Sequence, residues 1–331
     1  MNGVPILSIS GLRVTFHGDR GAVRAVDGVD LEVQRGECLG VVGESGSGKT
    51  VTFLAALGLL PPPARVEADK LSWQGTDLRA LSPAGWRALR GRDIALTMQD
   101  ALTALNPALT IGTQITEVLD AHSDLPSTAA RRARAAELLR LVGIADPPRQ
   151  LRAYPHELSG GMRQRAMIAV ALACGPKLLI ADEPTTALDV TVQAQILELL
   201  KALQARTGMA MLFITHNLGV VAEIADRVMV MYAGRVVEQA PVRGLFGRPL
   251  MPYTRGLLRS VPRLVPLSAL HIPLDAIPGN VPDPANLPPG CAFAPRCAYT
   301  QPEHCETVLP VLDPASPEHL VRCARWRDIA A

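Results

Sequence analysis

Residues 43–50 read GESGSGKT, from Gly43 to Thr50, and form a glycine-rich segment that ends in a lysine and a threonine. The apolar run CLGVV (38–42) precedes it, and VTFLAAL (51–57) follows it with the composition of a helix. A strand, a glycine-rich turn and a helix in this order favour phosphate binding, because the glycines let backbone N–H groups converge on an anion. The pattern further predicts that Lys49 reaches the β- and γ-phosphates of a nucleotide and that Thr50 ligates Mg²⁺. An ordinary glycine-rich turn is the alternative, and the motifs below disfavour it.

The composition is that of a large globular protein. A chain of 331 residues exceeds the usual size of one domain, so we expect a main domain with an appendage. Hydrophobic residues make up 48% of the chain and charged residues 19%, which is ample for a core. The formal net charge of +2 argues against nucleic-acid binding through bulk charge.

The sequence lacks the signals of a membrane-spanning or secreted chain. No window of about eighteen apolar residues is uninterrupted, so we do not expect the chain to cross a membrane by itself. Its start has no basic region followed by an apolar run, which predicts a protein that stays inside the cell. The six cysteines are then expected to be thiols or metal ligands before disulfides.

The segment before the phosphate loop predicts antiparallel strands. From Leu7 to Val33, apolar and polar residues alternate in short stretches. Phe16 lies in one of them. Its ring could stack on a nucleotide base or pack in the core, and the sequence leaves both open.

A second glycine-containing segment also opens a helix. Ile111 to Val142 reads as a helical insertion with Ser127 as a helix cap. Ser159-Gly160-Gly161 then begins a helix that we expect to run to about Cys174. Its amino end offers another cradle for phosphate. One chain does not need two cradles for one nucleotide, so the second one suggests a nucleotide bound to a partner chain.

Four polar residues follow buried apolar strands, at the strand ends where ligands collect in open α/β sheets. Asp182 suits a magnesium ion, and Glu183 suits polarising a water that attacks the γ-phosphate. Gln99 could touch the metal or the water, and His216 could donate to the γ-phosphate. The alternatives are a surface-loop glutamine, a solvated strand end and a structural histidine.

The composition changes at Pro241, because 16 of the 28 prolines lie beyond residue 240. Such density predicts a loop-rich extension without long helices or central strands. Four cysteines lie in it at the spacing C-x₅-C-x₇-C-x₁₇-C, namely Cys291, Cys297, Cys305 and Cys323. Zinc, an iron–sulfur cluster and separate buried thiols all stay open, since the spacing matches no common pattern.

Over residues 5–240 the chain resembles the ATP-binding subunit of ABC transporters, through six motifs in order: 43–50, Gln99, 158–162, 178–183, 187–189 and His216. The resemblance implies an α/β fold of the P-loop NTPase class, with a RecA-like core, an antiparallel β subdomain and a helical subdomain at about 101–170. The cassette would span residues 1–240, and the extension residues 241–331. It also implies two chains with ATP between the phosphate loop of one and the Ser-Gly-Gly segment of the other. The residues expected to touch nucleotide are Phe16, Gly43, Glu44, Ser45, Gly46, Ser47, Gly48, Lys49, Thr50, Ser159, Gly160, Gly161 and Asp189.

A narrower resemblance is to the oligopeptide, dipeptide and nickel importers. It rests on Met162, on 103–107 and 252–254, and on the tail from Ile277 to Cys297. It implies a peripheral ATPase on the cytoplasmic face of the cell membrane. The implied partners are a second ATPase subunit, identical or paralogous, two permease subunits and an extracytoplasmic solute-binding protein.

Two details of this branch concern particular residues. Some of its members carry a four-iron cluster, which favours 4Fe–4S over zinc at the four cysteines. The sequence departs from the branch at Asp100-Ala101-Leu102, next to the residues expected to meet the membrane subunits.

Two other functions remain conceivable at this level. A soluble ABC ATPase in translation or DNA repair commonly has paired cassettes or long coiled coils, and this chain has one cassette and no heptad run. A cluster-bearing redox sensor that regulates transport is compatible with the importer reading. No nucleic-acid partner is expected.

Overall fold

The computed structural model describes residues 4–18, 21–186, 188–261 and 276–330. The chain divides into two compact units. Unit 1 consists of Met1–Ile6, Val33–Glu37 and Gln74–Phe213, and unit 2 consists of Leu7–Glu32, Cys38–Trp73 and Ile214–Ala331. The expected boundary at residue 240 remains a prediction.

The chain combines thirteen helices with strands that include the parallel pairs Cys38–Val42 with Arg227–Tyr232 and Ile94–Thr97 with Leu178–Asp182 in the described residues, which confirms the α/β class. The strands are β1 (Leu7–Gly18), β2 (Gly21–Val33), β3 (Cys38–Val42), β4 (Ala64–Glu67), β5 (Lys70–Trp73), β6 (Thr76–Asp77), β7 (Ile94–Thr97), β8 (Leu178–Asp182), β9 (Ala210–Thr215), β10 (Arg227–Tyr232), β11 (Arg235–Pro241), β12 (Asp313–Ser316) and β13 (His319–Val321). The helices are α1 (Lys49–Ala56), α2 (Pro83–Leu89), α3 (Ala101–Ala104), α4 (Ile111–His122), α5 (Thr128–Leu141), α6 (Pro147–Gln150), α7 (Gly160–Ala171), α8 (Val190–Thr207), α9 (Leu218–Ile224), α10 (Val242–Gly247), α11 (Pro252–Arg259), α12 (Pro302–Cys305) and α13 (Trp326–Ala330). None of the helices in the described ranges is both long and apolar enough to span a bilayer.

Unit 2 contains strands where the sequence predicts them, as β1 and β2, and β1 pairs in antiparallel register with strands from later in the chain. Strand β1 lies between β2 and β5, and β4 also pairs with β1 in antiparallel register. The alternating pattern sends Leu12 and Val14 into the core and leaves Arg13 exposed, as the two-residue period of a strand requires.

A second set of strands in unit 2 leads into the phosphate loop. Every residue of β3 is buried, and β3 runs parallel to β10. Strand β11 returns antiparallel to β10 and then pairs with β13, which pairs with β12. A fully apolar strand is typical of a parallel pair that is covered on both faces. The proline-rich extension thus contributes two strands that the sequence did not reveal.

A buried carboxylate joins the extension to β11. Glu238 is fully buried and accepts backbone N–H bonds from Leu250 at 2.7 Å and Met251 at 3.1 Å. The ring nitrogen Nε2 of His319 lies 2.8 Å from Glu238 Oε1. A charge without water needs such partners. The Glu238 side chain therefore connects residues 250–251 with His319 of β13.

Unit 1 contains the predicted helical insertion as two helices, α4 and α5, which pack with α7. Ser127 caps α5 as expected, its hydroxyl accepting from the N–H of Ala130 at 3.1 Å. Strands β7 and β8 run parallel in this unit. Their carboxyl ends thus lie on the same edge.

Candidate functional site

The phosphate loop of unit 2 connects β3 to α1 through two glycines that no other residue could replace without strain. Gly48 is the amino cap of α1 with φ 93°, and a Cβ there would lie 2.6 Å from the carbonyl oxygen of Ala25. Gly43 has φ 154°, and a Cβ would lie 2.2 Å from the carbonyl oxygen of Met231. Both conformations and both contacts require glycine. The backbone is thus packed closely on both sides of the loop.

Lys49 lies inside this loop. Its Nζ donates to the carbonyl oxygens of Gly43 at 2.7 Å and Glu44 at 3.0 Å, and to the Ser47 hydroxyl at 3.3 Å. Only 6% of Lys49 is exposed. A buried cation at the amino end of α1 creates a strongly positive site, because the helix dipole adds to the ammonium charge. The half-buried Thr50 follows in the first turn of the helix.

The adjacent carboxylates of unit 1 lie at the end of β8. Asp182 is its last residue and is 4% exposed, while Glu183 follows with φ 46°, a left-handed conformation that is uncommon for a residue with a side chain. Glu183 Oε2 accepts from Gln99 Nε2 at 3.0 Å and from the Thr186 hydroxyl at 2.8 Å. The structure therefore brings Gln99 and Glu183 together, and it adds Thr186, which the sequence did not single out.

Strand ends differ slightly from the predictions. Strand β7 ends at Thr97, so Gln99 stands two residues beyond it, and Glu183 lies outside β8. Both residues lie in bends just beyond the strands, and a hydrogen bond joins their side chains.

The Ser-Gly-Gly segment opens α7 as predicted, although this helix ends at Ala171 rather than near Cys174. The Ser159 hydroxyl accepts from the N–H of Met162 at 3.3 Å, and Ser159 and Gly160 are exposed. Gly161 is half-buried. The first turn of a twelve-residue helix thus faces outward with its amino end accessible.

Asp189 is the amino cap of α8, where its Oδ1 accepts from the N–H of Val192 at 2.9 Å. The preceding motif residue, Ala187, lies outside the described residues. His216 follows β9 directly and is exposed, and Phe16 in β1 is half-buried. The nucleotide-contacting roles of Asp189, His216 and Phe16 stay predictions.

All four cysteines of the extension line one cavity in unit 2. Burial raises the pKa of Cys291 and Cys297, and it raises the pKa of Cys323 to about 11. None of these four cysteines forms a disulfide. Within the described ranges, however, no group of three or more His, Cys, Asp or Glu side chains is arranged to hold a metal ion. The thiols share a cavity, and their present arrangement is not that of a ligand set.

Sequence reasoning missed two residues of the extension that contact the phosphate loop. Arg296 forms an ion pair with Glu44, and the Tyr253 hydroxyl accepts from the Glu44 N–H. Tyr253 and Arg296 lie in the stretches 252–254 and 277–297 that carry the narrower resemblance, but no periodicity or motif indicates that either one contacts the phosphate loop.

Comparisons with known proteins cover both the loop-bearing part and the extension. Residues 26–186 match the family described as ABC transporter, and residues 237–305 match the family described as oligopeptide/dipeptide transporter, C-terminal region. The oligopeptide transport ATP-binding protein AppD of Bacillus subtilis is 47% identical over 327 residues, which cover 98% of each chain. The oligopeptide transport ATP-binding protein OppD of Mycobacterium tuberculosis is 51% identical over 321 residues, or 97% of this chain and 52% of that protein. A bacterial ABC transporter cassette solved as a dimer is similar with a TM-score of 0.65 and 28% identity, over 72% of this chain and 99% of that one.

Proposed function

The chain belongs to the ABC transporter family, in its oligopeptide/dipeptide branch, and from this premise we propose that it is an ATP-hydrolysing import subunit. It powers the uptake of oligopeptides, dipeptides or a related small solute such as nickel through separate membrane subunits. The observation that carries the proposal is the buried Lys49 in a complete phosphate loop at the amino end of a helix.

The residues of the chain supply positioning and charge stabilisation for phosphoryl transfer. Lys49 and the N–H groups of 43–50 bind the β- and γ-phosphates, which holds the triphosphate in place. Glu183, oriented by Gln99 and Thr186, polarises the attacking water. His216 donates to the γ-phosphate as charge develops there.

Magnesium fits the oxygen donors that the sequence offers. A hydroxyl, an amide oxygen and a carboxylate, from Thr50, Gln99 and Asp182, are the kinds of ligand that this ion prefers. When bound, Mg²⁺ neutralises charge on the β- and γ-phosphates.

The proposed assembly contains two ATPase chains, identical or paralogous. The exposed amino end of α7, with Ser159 and Gly160, serves the nucleotide of the partner chain. Two permease subunits and an extracytoplasmic solute-binding protein complete the transporter. The chain is then peripheral, on the cytoplasmic face of the membrane.

Reconstitution tests this function. We expect vesicles that hold the permease subunits and the ATPase pair to accumulate labelled peptide delivered by the binding protein, and to do so only with ATP and Mg²⁺. A non-hydrolysable ATP analogue is the control, and nickel uptake measured in parallel distinguishes the solutes. The proposal fails if neither solute accumulates and the chain instead co-purifies with ribosomes or DNA.

We further infer that the four-cysteine cavity takes a 4Fe–4S cluster, with zinc as the less favoured metal. The support is that Cys291, Cys297, Cys305 and Cys323 line one cavity and that their number equals that of a cluster's ligands. Metal binding must deprotonate these thiols and move them from their present arrangement. A cluster would add a redox-responsive element to the extension.

Metal analysis and an absorption spectrum of the anaerobically purified chain test this inference. We expect stoichiometric iron and sulfide with visible charge-transfer absorption. Cys297→Ser should lose them, whereas Cys174→Ser, which changes a cysteine three residues beyond the end of α7, should keep them. Stoichiometric zinc would remove the redox element. Four titratable thiols without metal would contradict the inference.

A further inference from the structure

Arg296 of the extension makes a two-pronged ion pair with the second residue of the phosphate loop. Arg296 Nη1 lies 2.7 Å from Glu44 Oε2, and Nη2 lies 3.0 Å from Oε1. The Arg296 side chain is 4% exposed and that of Glu44 is 29% exposed. Parallel N–H···O bonds of this kind are strong and fix orientation as well as distance.

The guanidinium is itself held on its other sides. Arg296 Nε donates to the carbonyl oxygen of Pro278 at 2.9 Å, and Nη1 lies 3.3 Å from the Tyr232 hydroxyl. Its centre lies 5.9 Å from the ring centroids of Tyr232 and Phe293. The extension and β10 therefore hold the guanidinium of Arg296 in place where it meets Glu44.

Tyr253 holds the backbone of the same loop residue. The N–H of Glu44 donates to the Tyr253 hydroxyl at 2.9 Å, and Tyr253 is fully buried. Its ring packs 4.6 Å from that of Tyr232 and 5.4 Å from that of Phe293. Burial raises the pKa of Tyr253, which keeps the phenol protonated.

Glu44 also contacts Lys49, the cation expected to bind phosphate. The carbonyl oxygen of Glu44 accepts from Lys49 Nζ at 3.0 Å. Glu44 is thus held at its side chain by Arg296, at its N–H by Tyr253 and at its carbonyl by Lys49. A glycine-rich loop has many accessible conformations, and holding one residue at three points removes most of them.

We propose that Arg296 and Tyr253 are positioning residues for the phosphate loop, by which the C-terminal extension sets the affinity for nucleotide. The proposal rests on the proposed function in that 43–50 binds ATP. The C-terminal extension is then part of the nucleotide site, although its residues lie outside the cassette motifs. Preorganised binding groups lose less entropy when the ligand binds, so loosening the loop weakens binding.

Nucleotide affinity and steady-state kinetics of full-length variants test the proposal. We expect Arg296→Met to raise the Kd for Mg-ATP and the KM about 10- to 100-fold, with kcat changed less than about threefold, because Glu183 and Gln99 are untouched. Arg296→Lys should bind Mg-ATP more tightly than Arg296→Met because it keeps the positive charge. It should still bind more weakly than wild type, because an ammonium lacks the planar pair of N–H donors that matches both carboxylate oxygens. Arg255→Met is the matched control, because Arg255 bonds the carbonyl oxygens of Pro249 and Ile329 within the extension and not the loop.

Further variants separate positioning from general destabilisation. Glu44→Gln and Tyr253→Phe keep the shape of their side chains, and each is expected to weaken the binding of Mg-ATP. These two variants test the proposal if Arg296→Met does not fold. The double variant Glu44→Gln with Arg296→Met should bind Mg-ATP no more weakly than Arg296→Met alone, because the two substitutions remove the same ion pair.

Three results would overturn the proposal: unchanged affinity in folded Arg296→Met, strictly additive effects in the double variant, or a loss of kcat with KM unchanged. A wild-type chain that binds no nucleotide would instead overturn the proposed function. The two failures are therefore distinguishable.

Discussion

Lys49→Ala is expected to weaken Mg-ATP binding by roughly 100-fold or more and to bring hydrolysis to background. The ammonium is a buried donor among carbonyl and hydroxyl oxygens of its own loop, and the triphosphate would compete for it. Hydrogen bonds to charged groups contribute about 1.5–3 kcal/mol each, so losing two of them corresponds to this factor. Isothermal titration with Mg-ATP measures the change.

The control for this experiment is Lys70→Ala, which removes an exposed lysine of β5 and should bind as wild type. Circular dichroism of both variants checks the fold, because Lys49 also stabilises the loop. Binding by folded Lys49→Ala at wild-type affinity would exclude 43–50 as the nucleotide site.

The parts of the fold that the sequence predicted are those with local signals. The run 38–42 is wholly apolar and became the buried β3, and the glycines after it mark the turn into α1. Ser127 was recognisable as a cap because the capping hydrogen bond lies within one turn of the helix. Such signals need no knowledge of what lies across the core.

Contacts between distant parts of the chain gave no such signal. Glu44 and Arg296 are 252 positions apart, and no local pattern links the two residues. Glu238 reads as the polar side of a hairpin strand, yet it is fully buried because His319 and two backbone N–H groups satisfy it. Pro314 within β12 likewise argued against a strand, since proline lacks the ladder donor.

The paired carboxylates were identified from the sequence, but their surroundings were not. A strand that ends in two acids suggests metal and water chemistry, whereas the hydrogen bonds of Glu183 to Gln99 and Thr186 depend on how two strand ends meet. The left-handed backbone of Glu183 is equally invisible in a residue pattern. Strain of this kind is common at functional sites.

Glu183→Gln is expected to lower ATP hydrolysis by about 10²- to 10⁴-fold while ATP binding is retained, since general-base catalysis contributes on that order. The amide keeps an oxygen that can accept from Gln99 and Thr186, so the local structure should persist. It lacks the negative charge that polarises water. Glu198→Gln, an exposed acid of α8 in the same unit, is the matched control and should hydrolyse ATP as wild type.

The most direct measurement is the fate of γ-labelled ATP, with bound nucleotide and released phosphate quantified in the same sample of wild-type chain, Glu183→Gln and Glu198→Gln. We expect released phosphate from the wild-type and Glu198→Gln chains, and intact ATP on Glu183→Gln at similar occupancy. Phosphate release by Glu183→Gln at the wild-type rate would show that Glu183 does not polarise the attacking water.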